Sequence, residues 1–530
     1  MIMLIWPVIF YLAAVTDLEQ SYAMSLLTSY PMAKWPITPP SVPDLSRISD
    51  LAQEARNAAS SLADYVGGAG IRLGVSGLSR AGKTVFITAF VHNLIRRGRL
   101  PVLQAHAEGR LVSAKLEQQP DDAVPSFAYD DHLAALTGGS EGPSARHWPQ
   151  STRHISQLRL TLEFERASGW RKGRSELTID IVDYPGEWLL DLPLLEKSYA
   201  QWSRETLEAS SAAARATLAA PWRGYLASLD STAPFSEETA RKAAELFTAY
   251  LRGARADAYA LSALTPGRFL MPGDLEGSPA LTFSPLPMEE GAAIKAGSLG
   301  ALMERRYEAY KTHIVRPFFR DHFARLDRQI VLVDALSALN SGPAAVRDLE
   351  SAMSDVLRAF RTGQSGLISR IFRPRIDRIL FAATKADHLH HTSHDRLEAI
   401  LRHLVARAIT RAQSGGVEID VIAMAAVRAT REARVRQDGR DLEAIVGTPL
   451  KGERLGEDVF DGDTEAAIFP GELPADPRAV FRGEGLGLSD GEADYRFLRF
   501  RPPLTATPEA PLPHIRLDRA LQFLLGDRLA

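Results

Sequence analysis

The chain has no cysteine among its 530 residues. Disulfides, thiol nucleophiles and cysteine-ligated zinc are thereby excluded, and a reducing cytosol is a compatible setting. Strong charge of one sign is also missing. Lys and Arg number 62 against 65 Asp and Glu, a net −3, so no overall field calls for nucleic acid. The local run "RIFRPRIDR" (Arg370 to Arg378) reads as solvated surface. A long apolar run is lacking too. "MIMLIWPVIFYLAAV" (Met1 to Val15) falls short of the roughly 18 residues that mark a spanning helix. It also makes a poor signal, since no Lys or Arg precedes Lys34, and Asp17 and Glu19 follow at once. Weak anchor, poor signal, or translated stretch upstream of a later start at Met24 or Met32 are the three readings. The last is preferred, with a cytoplasmic protein that is at most peripheral at a membrane.

What is present is ordinary for a globular protein: 45% hydrophobic and 24% charged residues, in a chain long enough for more than one domain. Leu45, Ile48, Leu51, Ala55, Leu62 and Val66 recur at helical spacing between Asp44 and Gly68. "IRLGVSG" (Ile71 to Gly77) predicts a buried strand and Thr84 to Arg96 a helix. Leu103 to Trp148 reads as irregular. Ile155–Glu165 and Ser175–Gly186 read as a β-hairpin around the turn residues of Arg166–Arg174. Glu187 to Leu326 is mainly helical in pattern. Apolar strands then recur at Arg328–Leu336, Ile376–Leu389 and Gly416–Thr430, with a helix before the last. Strands alternating with helices predict an α/β doubly wound sheet. The tail is richer in Gly, Pro and Asp and ends in a helix, "IRLDRALQFLLGD".

Three motifs carry chemistry. "GLSRAGKT" fits a glycine, four residues, then Gly-Lys-Thr: Gly77, Gly82, Lys83, Thr84. The glycines let the backbone curl so that N–H groups along Leu78, Ser79, Arg80, Ala81 and Gly82 meet phosphate oxygens. Val85 lies in the first turn of the helix behind, whose N-terminus adds partial positive charge. Lys83 is placed to reach the outer phosphates and Thr84 to ligate Mg²⁺. In "IDIVDYPGEW", Asp183 ends an apolar strand, where a carboxylate can hold Mg²⁺ directly or through water, and Gly186 can offer an N–H to the γ-phosphate. Asp180 sits three residues earlier, on the other face of the strand. In "AATKADHL", Thr384, Lys385 and Asp387 form a pattern in which a carboxylate accepts from guanine N1–H and N2–H₂. After the next strand, Ala426, Val427 and Arg428 stand where a backbone N–H meets guanine O6.

Together these segments resemble the Ras-like and Gα-like GTPases and, more closely, the YcjX family of bacterial P-loop proteins. "GLSRAGKTVFITAF", "WPQSTRHISQLRL", "VDYPGEWLLDLP", "RLDRQIVLVDALSALN", "ATKADHLHHTSHDRLEAILRHL" and "VRATREA" carry the resemblance. It implies a P-loop NTPase sheet of Ras-like type. The core then spans 44–186 and 327–435, after an N-terminal extension 1–43. A helical insertion at 187–326 interrupts it and a C-terminal extension at 436–530 follows. It implies GTP/GDP and Mg²⁺ as ligands, with ATP as the alternative, in a stress-associated bacterial protein. It leaves room for an inner-membrane protein partner, reached through the insertion or the C-terminal part. By the same resemblance Thr152, rather than Ser151, is the switch threonine on Mg²⁺, and Arg146 or Arg153 is a candidate arginine in cis. Glu187 stands where Ras-like proteins place a water-positioning Gln, so slow intrinsic hydrolysis is expected.

"HLHHTSHD" holds His388, His390, His391 and His394. Its spacing matches no standard zinc pattern. The reading is a loop and then a helix capped by Thr392, with Asp395 as its N3 partner. The leading function is a Mg²⁺-dependent GTPase switch. An ATPase of the same fold is the alternative, as is a nucleotide-stabilised scaffold with little turnover.

Overall fold

The computed structural model describes residues 70–530, apart from 79, 120, 168–172, 257–258, 289–293, 360–375, 407–408, 411–415, 438–439, 483–494 and 496. The predicted helix at 44–68, the apolar run at 1–15, Ser79 and most of 370–378 lie outside the described residues. Strand β1 (Gly70–Gly77) leads into helix α1 (Lys83–Ile95). Then come β2 (Leu111–Glu117), α2 (Tyr129–Thr137), β3 (Ser156–Glu165) and β4 (Arg174–Asp183). A 3₁₀ segment, Gly186–Glu196, opens a helical stretch with α3 (Tyr199–Ser210), α4 (Ala213–Ala227), α5 (Glu237–Arg255) and α6 (Leu299–Tyr310). The sheet resumes with β5 (Arg328–Val333), followed by α7 (Ala335–Asn340) and α8 (Pro343–Ala359). Next are β6 (Arg378–Ala383), α9 (His394–Leu404) and β7 (Glu418–Ala423). A second, three-stranded sheet contains β8 (Arg431–Gln437), β9 (Arg440–Gly447) and β10 (Ala466–Ile468), and α10 (Leu517–Leu525) closes the sequence.

The seven-stranded sheet has the order β2-β3-β4-β1-β5-β6-β7. Strands β4, β1, β5, β6 and β7 run parallel, while β2–β3 and β3–β4 are antiparallel. The predicted hairpin is β3–β4, in register from Ser156↔Asp183 to Glu165↔Arg174. All six residues of β5 are buried, as a parallel strand covered on both faces requires. Ile330 and Leu332 face one core with α1 and α10. Val331 and Val333 face the other, which runs without a break into the aromatic core of the helical stretch. There Trp202 stacks on Tyr307 at 5.0 Å and Trp222 on Tyr250 at 5.4 Å.

Two expectations are corrected. Leu103–Trp148 is not irregular, since it holds edge strand β2 and helix α2. Only Leu111 of β2 is buried, so its apolar alternation is too weak to read. Thr392 does not cap α9. The N-cap is Ser393, without a side-chain bond, and Thr392 Oγ1 instead lies 3.0 Å from His390 Nδ1. Asp395 pairs with Arg516 at 2.7 Å. Among the described residues, no helix is long and apolar enough to cross a membrane.

Candidate functional site

Strand β1 ends at Gly77, and the loop behind it turns through two left-handed residues, Arg80 (φ 62°) and Gly82 (φ 83°). Gly82 is also the N-cap of α1 and has no side chain with which to cap it, so the first amides of α1 stay available to an anion. Lys83 is 8% exposed, and its Nζ donates to Gly77 O at 3.0 Å across the loop. Gly186 lies against the same loop. A Cβ there would sit 2.0 Å from Gly77 O, so no side chain fits.

Three oxygens line up beside the loop. Thr152 Oγ1 donates to Asp183 Oδ2 at 2.7 Å and lies 3.3 Å from Thr84 Oγ1. Thr152 spends its one hydroxyl proton on the carboxylate, and Thr84 Oγ1 has Gln150 O at 3.5 Å as an acceptor for its own. Asp183 is 1% exposed, and its Oδ1 is buried without a hydrogen bond. Burial pushes the Asp183 carboxyl up to about 6, against the pull of Lys83 and the Thr152 hydroxyl. An all-oxygen donor set with an orphaned carboxylate oxygen fits a hard cation such as Mg²⁺. Asp180 points away and is bound by Arg159 at 2.6 and 2.7 Å.

Arg80, Ala81, Gly82, Lys83, Thr84 and Val85 line a cavity of about 340 Å³. Gln150, Ser151 and Thr152 form another part of its wall, and Thr384, Lys385, Asp387, Ala425, Ala426 and Val427 the far end. Lys385 (φ 61°) takes a left-handed turn and pairs with Asp334 at 2.5 Å. Asp387 is 4% exposed, with Oδ2 accepting from Ala429 N at 2.9 Å and its carbonyl accepting from Thr430 Oγ1. Of the residues singled out in the sequence, Gly77, Leu78, Asp183, Gly186, Glu187 and Arg428 do not line this cavity. Arg428 donates Nε–H to Thr430 O at 2.9 Å. Arg146 is bound to Pro502 O and Pro143 O, both at 2.7 Å, while Arg153 is exposed at the surface.

Glu187 occupies a neighbouring, smaller cavity with Leu78, Arg80, Arg255 and Asp334. It is 4% exposed, and Arg255 at the end of α5 approaches its Oε1 to 2.9 Å. That oxygen has no aligned hydrogen bond, so the contact is ionic.

The sequence reading missed Trp148, Leu450, Arg499 and Phe500, which complete the far wall of the larger cavity. Trp148 Nε1 donates to Phe500 O at 2.6 Å, and Phe500 meets the His388 ring edge-on at 5.4 Å. For Arg499 and Phe500 the available signal was an apolar–basic run, "FLRFR".

The chain is 40% identical over 472 residues to the Ras-like GTPase YcjX of Escherichia coli K12, covering 87% of this chain and 96% of that one. It is 35% identical over 485 residues to the Ras-like GTPase YcjX of Shewanella oneidensis, covering 87% and 94%. Residues 71–529 match the model of the YcjX-like family, DUF463, and the chain belongs to that family.

Proposed function

We propose that this GTPase-like nucleotide-binding protein hydrolyses GTP to GDP and phosphate with Mg²⁺ and works as a switch. The observation that carries the reading is the single cavity in which the phosphate loop, Thr152 and the two base-reading loops meet. The name of the two relatives supports it. In this reading residues 44–186 and 327–435 form the core, and the stretch 187–326 senses the nucleotide through Arg255 and Glu187. The amides from Arg80 to Val85 hold the phosphates, and Lys83 exchanges Gly77 O for phosphate oxygen. Thr84 and Thr152 would ligate Mg²⁺, with Asp183 holding its water shell. The ion would neutralise the charge between the outer phosphates. Asp387 accepts from guanine N1–H and N2–H₂, Lys385 covers the base, and an amide of Ala426–Arg428 meets O6. Arg255 offsets the charge that Glu187 would otherwise set against the γ-phosphate, and hydrolysis without a partner is slow.

Calorimetric titration with GTP, GDP and ATP, with and without Mg²⁺, tests this. Two hydrogen bonds to a charged acceptor amount to about 3 kcal/mol or more, roughly 100-fold in affinity. GTP and GDP should therefore bind at least about 100-fold tighter than ATP. Asp387→Asn should erase that margin, and GTP binding unchanged by Asp387→Asn would overturn the guanine assignment.

A further inference from the structure

The loop that follows Asp387 brings its histidines against the second sheet. One ring nitrogen each of His390 and His391 and one oxygen of Glu432 on β8 all lie within 4.8 Å of one another. Glu432 Oε2 is 2.8 Å from His391 Nδ1 and 3.9 Å from His390 Nε2. A fourth donor, Glu443 Oε2 on β9, is 2.7 Å from His390 Nε2. That oxygen is nevertheless buried without a hydrogen bond. His390 Nδ1 lies 3.0 Å from Thr392 Oγ1, and a proton on Nδ1 donated there leaves Nε2 unprotonated beside the carboxylates. An unprotonated nitrogen would then stand 2.7 Å from a carboxylate oxygen, a repulsive approach that a cation bound by both relieves.

The remaining oxygens are already engaged. Glu432 Oε1 faces Arg428 at 3.8 Å, and Glu443 Oε1 faces Arg434 at 3.4 Å. Each carboxylate thus presents its Oε2 inward. Donors around tetrahedral zinc, with bonds of about 2.0–2.2 Å, stand about 3.3 Å apart, and the separations here bracket that value. Thr392 would play the outer part usual for a metal-bound histidine, fixing tautomer and ring orientation. His390 is buried, whereas the His391 side chain is 62% exposed, which leaves an entry path on one side.

We propose that His390, His391, Glu432 and Glu443 form a divalent-metal site of the zinc class, stapling the loop after Asp387 to β8 and β9. It is separate from the Mg²⁺ position beside Thr84 and is built from imidazole and carboxylate donors rather than oxygens alone, a set that suits zinc better than magnesium. The site does not depend on the nucleotide reading above.

The test uses the full-length protein without a histidine tag, stripped with chelator and titrated with Zn²⁺, with bound metal counted after desalting. Substitution by Co²⁺ adds a visible spectrum that reports coordination. About one equivalent of zinc per chain is expected, with intense d–d bands for cobalt. His391→Gln, at an exposed position that folding tolerates, should weaken zinc binding at least tenfold, and Glu443→Gln should do the same. Thr392→Val should weaken it by the roughly 10–100-fold typical of lost outer partners. Wild type that retains no zinc overturns the site, as does His391→Gln retaining the wild-type stoichiometry and affinity.

Discussion

Asp191 shows how far one buried carboxyl can couple this protein to pH. It is 2% exposed and accepts from the Tyr310 hydroxyl at 2.5 Å, Gly267 N at 2.7 Å and Arg268 N at 3.3 Å. Burial still pushes the carboxyl up to about 6 from 3.8, with these bonds and the Arg268 guanidinium pulling the other way. The folded state therefore holds this proton more tightly than the unfolded chain does. The resulting stability is complete below about pH 4 and is lost as pH rises through about 6. A shift of about two units corresponds to about 3 kcal/mol at most. Asp183, raised by burial in the same direction, contributes a second share. The difference in stability between wild type and Asp191→Asn, from thermal melts without nucleotide, should shift against wild type between about pH 4 and 7. A difference that stays flat across that range would rule the coupling out. At this scale the sequence was readable where a motif fixes both spacing and chemistry, as for Lys83, Thr84, Asp183 and Asp387. It was silent about Arg255, because an arginine at the end of a helix carries no mark of the carboxylate it will meet 68 positions away in the fold.

At the scale of elements, that pair ties α5 to the 3₁₀ segment that begins at Gly186. Removing one partner of a buried ion pair leaves the other charge uncompensated, at a cost of about 3 kcal/mol. Arg255 is partly exposed, at 23%, so Arg255→Ala should cost somewhat less than that. Adding Glu187→Gln to Arg255→Ala should restore most of the loss in a denaturation series. Single-turnover GTP cleavage by the same variants separates stability from chemistry. Equal, rapid cleavage by wild type and Glu187→Gln would remove Glu187 from the hydrolytic step. The strands show why some elements were legible and others not. β3 and the first part of β4 alternate polar and apolar residues, with Leu158, Leu160, Leu162, Leu177 and Ile179 in one core. By contrast, β5 is apolar from Ile330 to Val333 because both its faces are buried. β2 lies at an edge with little burial, and its pairing with β3 comes from the sheet rather than from its own pattern.

At the scale of the whole molecule, the candidate site depends on both ends of the described chain. Strand β1 lies between β4 and β5, which the entire helical stretch separates in sequence. The last helix packs Leu517, Leu521, Leu524 and Leu525 into the core that also holds Phe86 and Phe90 of α1. His92 Nε2 lies 2.9 Å from Ala510 O, and Val102 N donates to Asp518 at 3.0 Å. A chain ending at Arg482 would lose α10, Arg499 and Phe500 together. GDP should raise the melting temperature of the full-length protein and leave that truncation unchanged. An equal shift in both would show that the C-terminal wall contributes nothing to the site. The wall was illegible for a physical reason: its residues meet Trp148 and His388 only through long-range packing, which no local spacing encodes.

The contact between Trp148 and Phe500 also has a direction in time. Trp148 and Phe500 stand 352 positions apart in sequence, so this part of the cavity wall closes only after the intervening chain has been made. Domains fold as units during synthesis once their parts have emerged. The residues from Gly77 to Thr84 thus leave the ribosome well before the far wall of the cavity exists. On the proposed reading, a chain clipped before Phe500 would lack one wall of the nucleotide cavity.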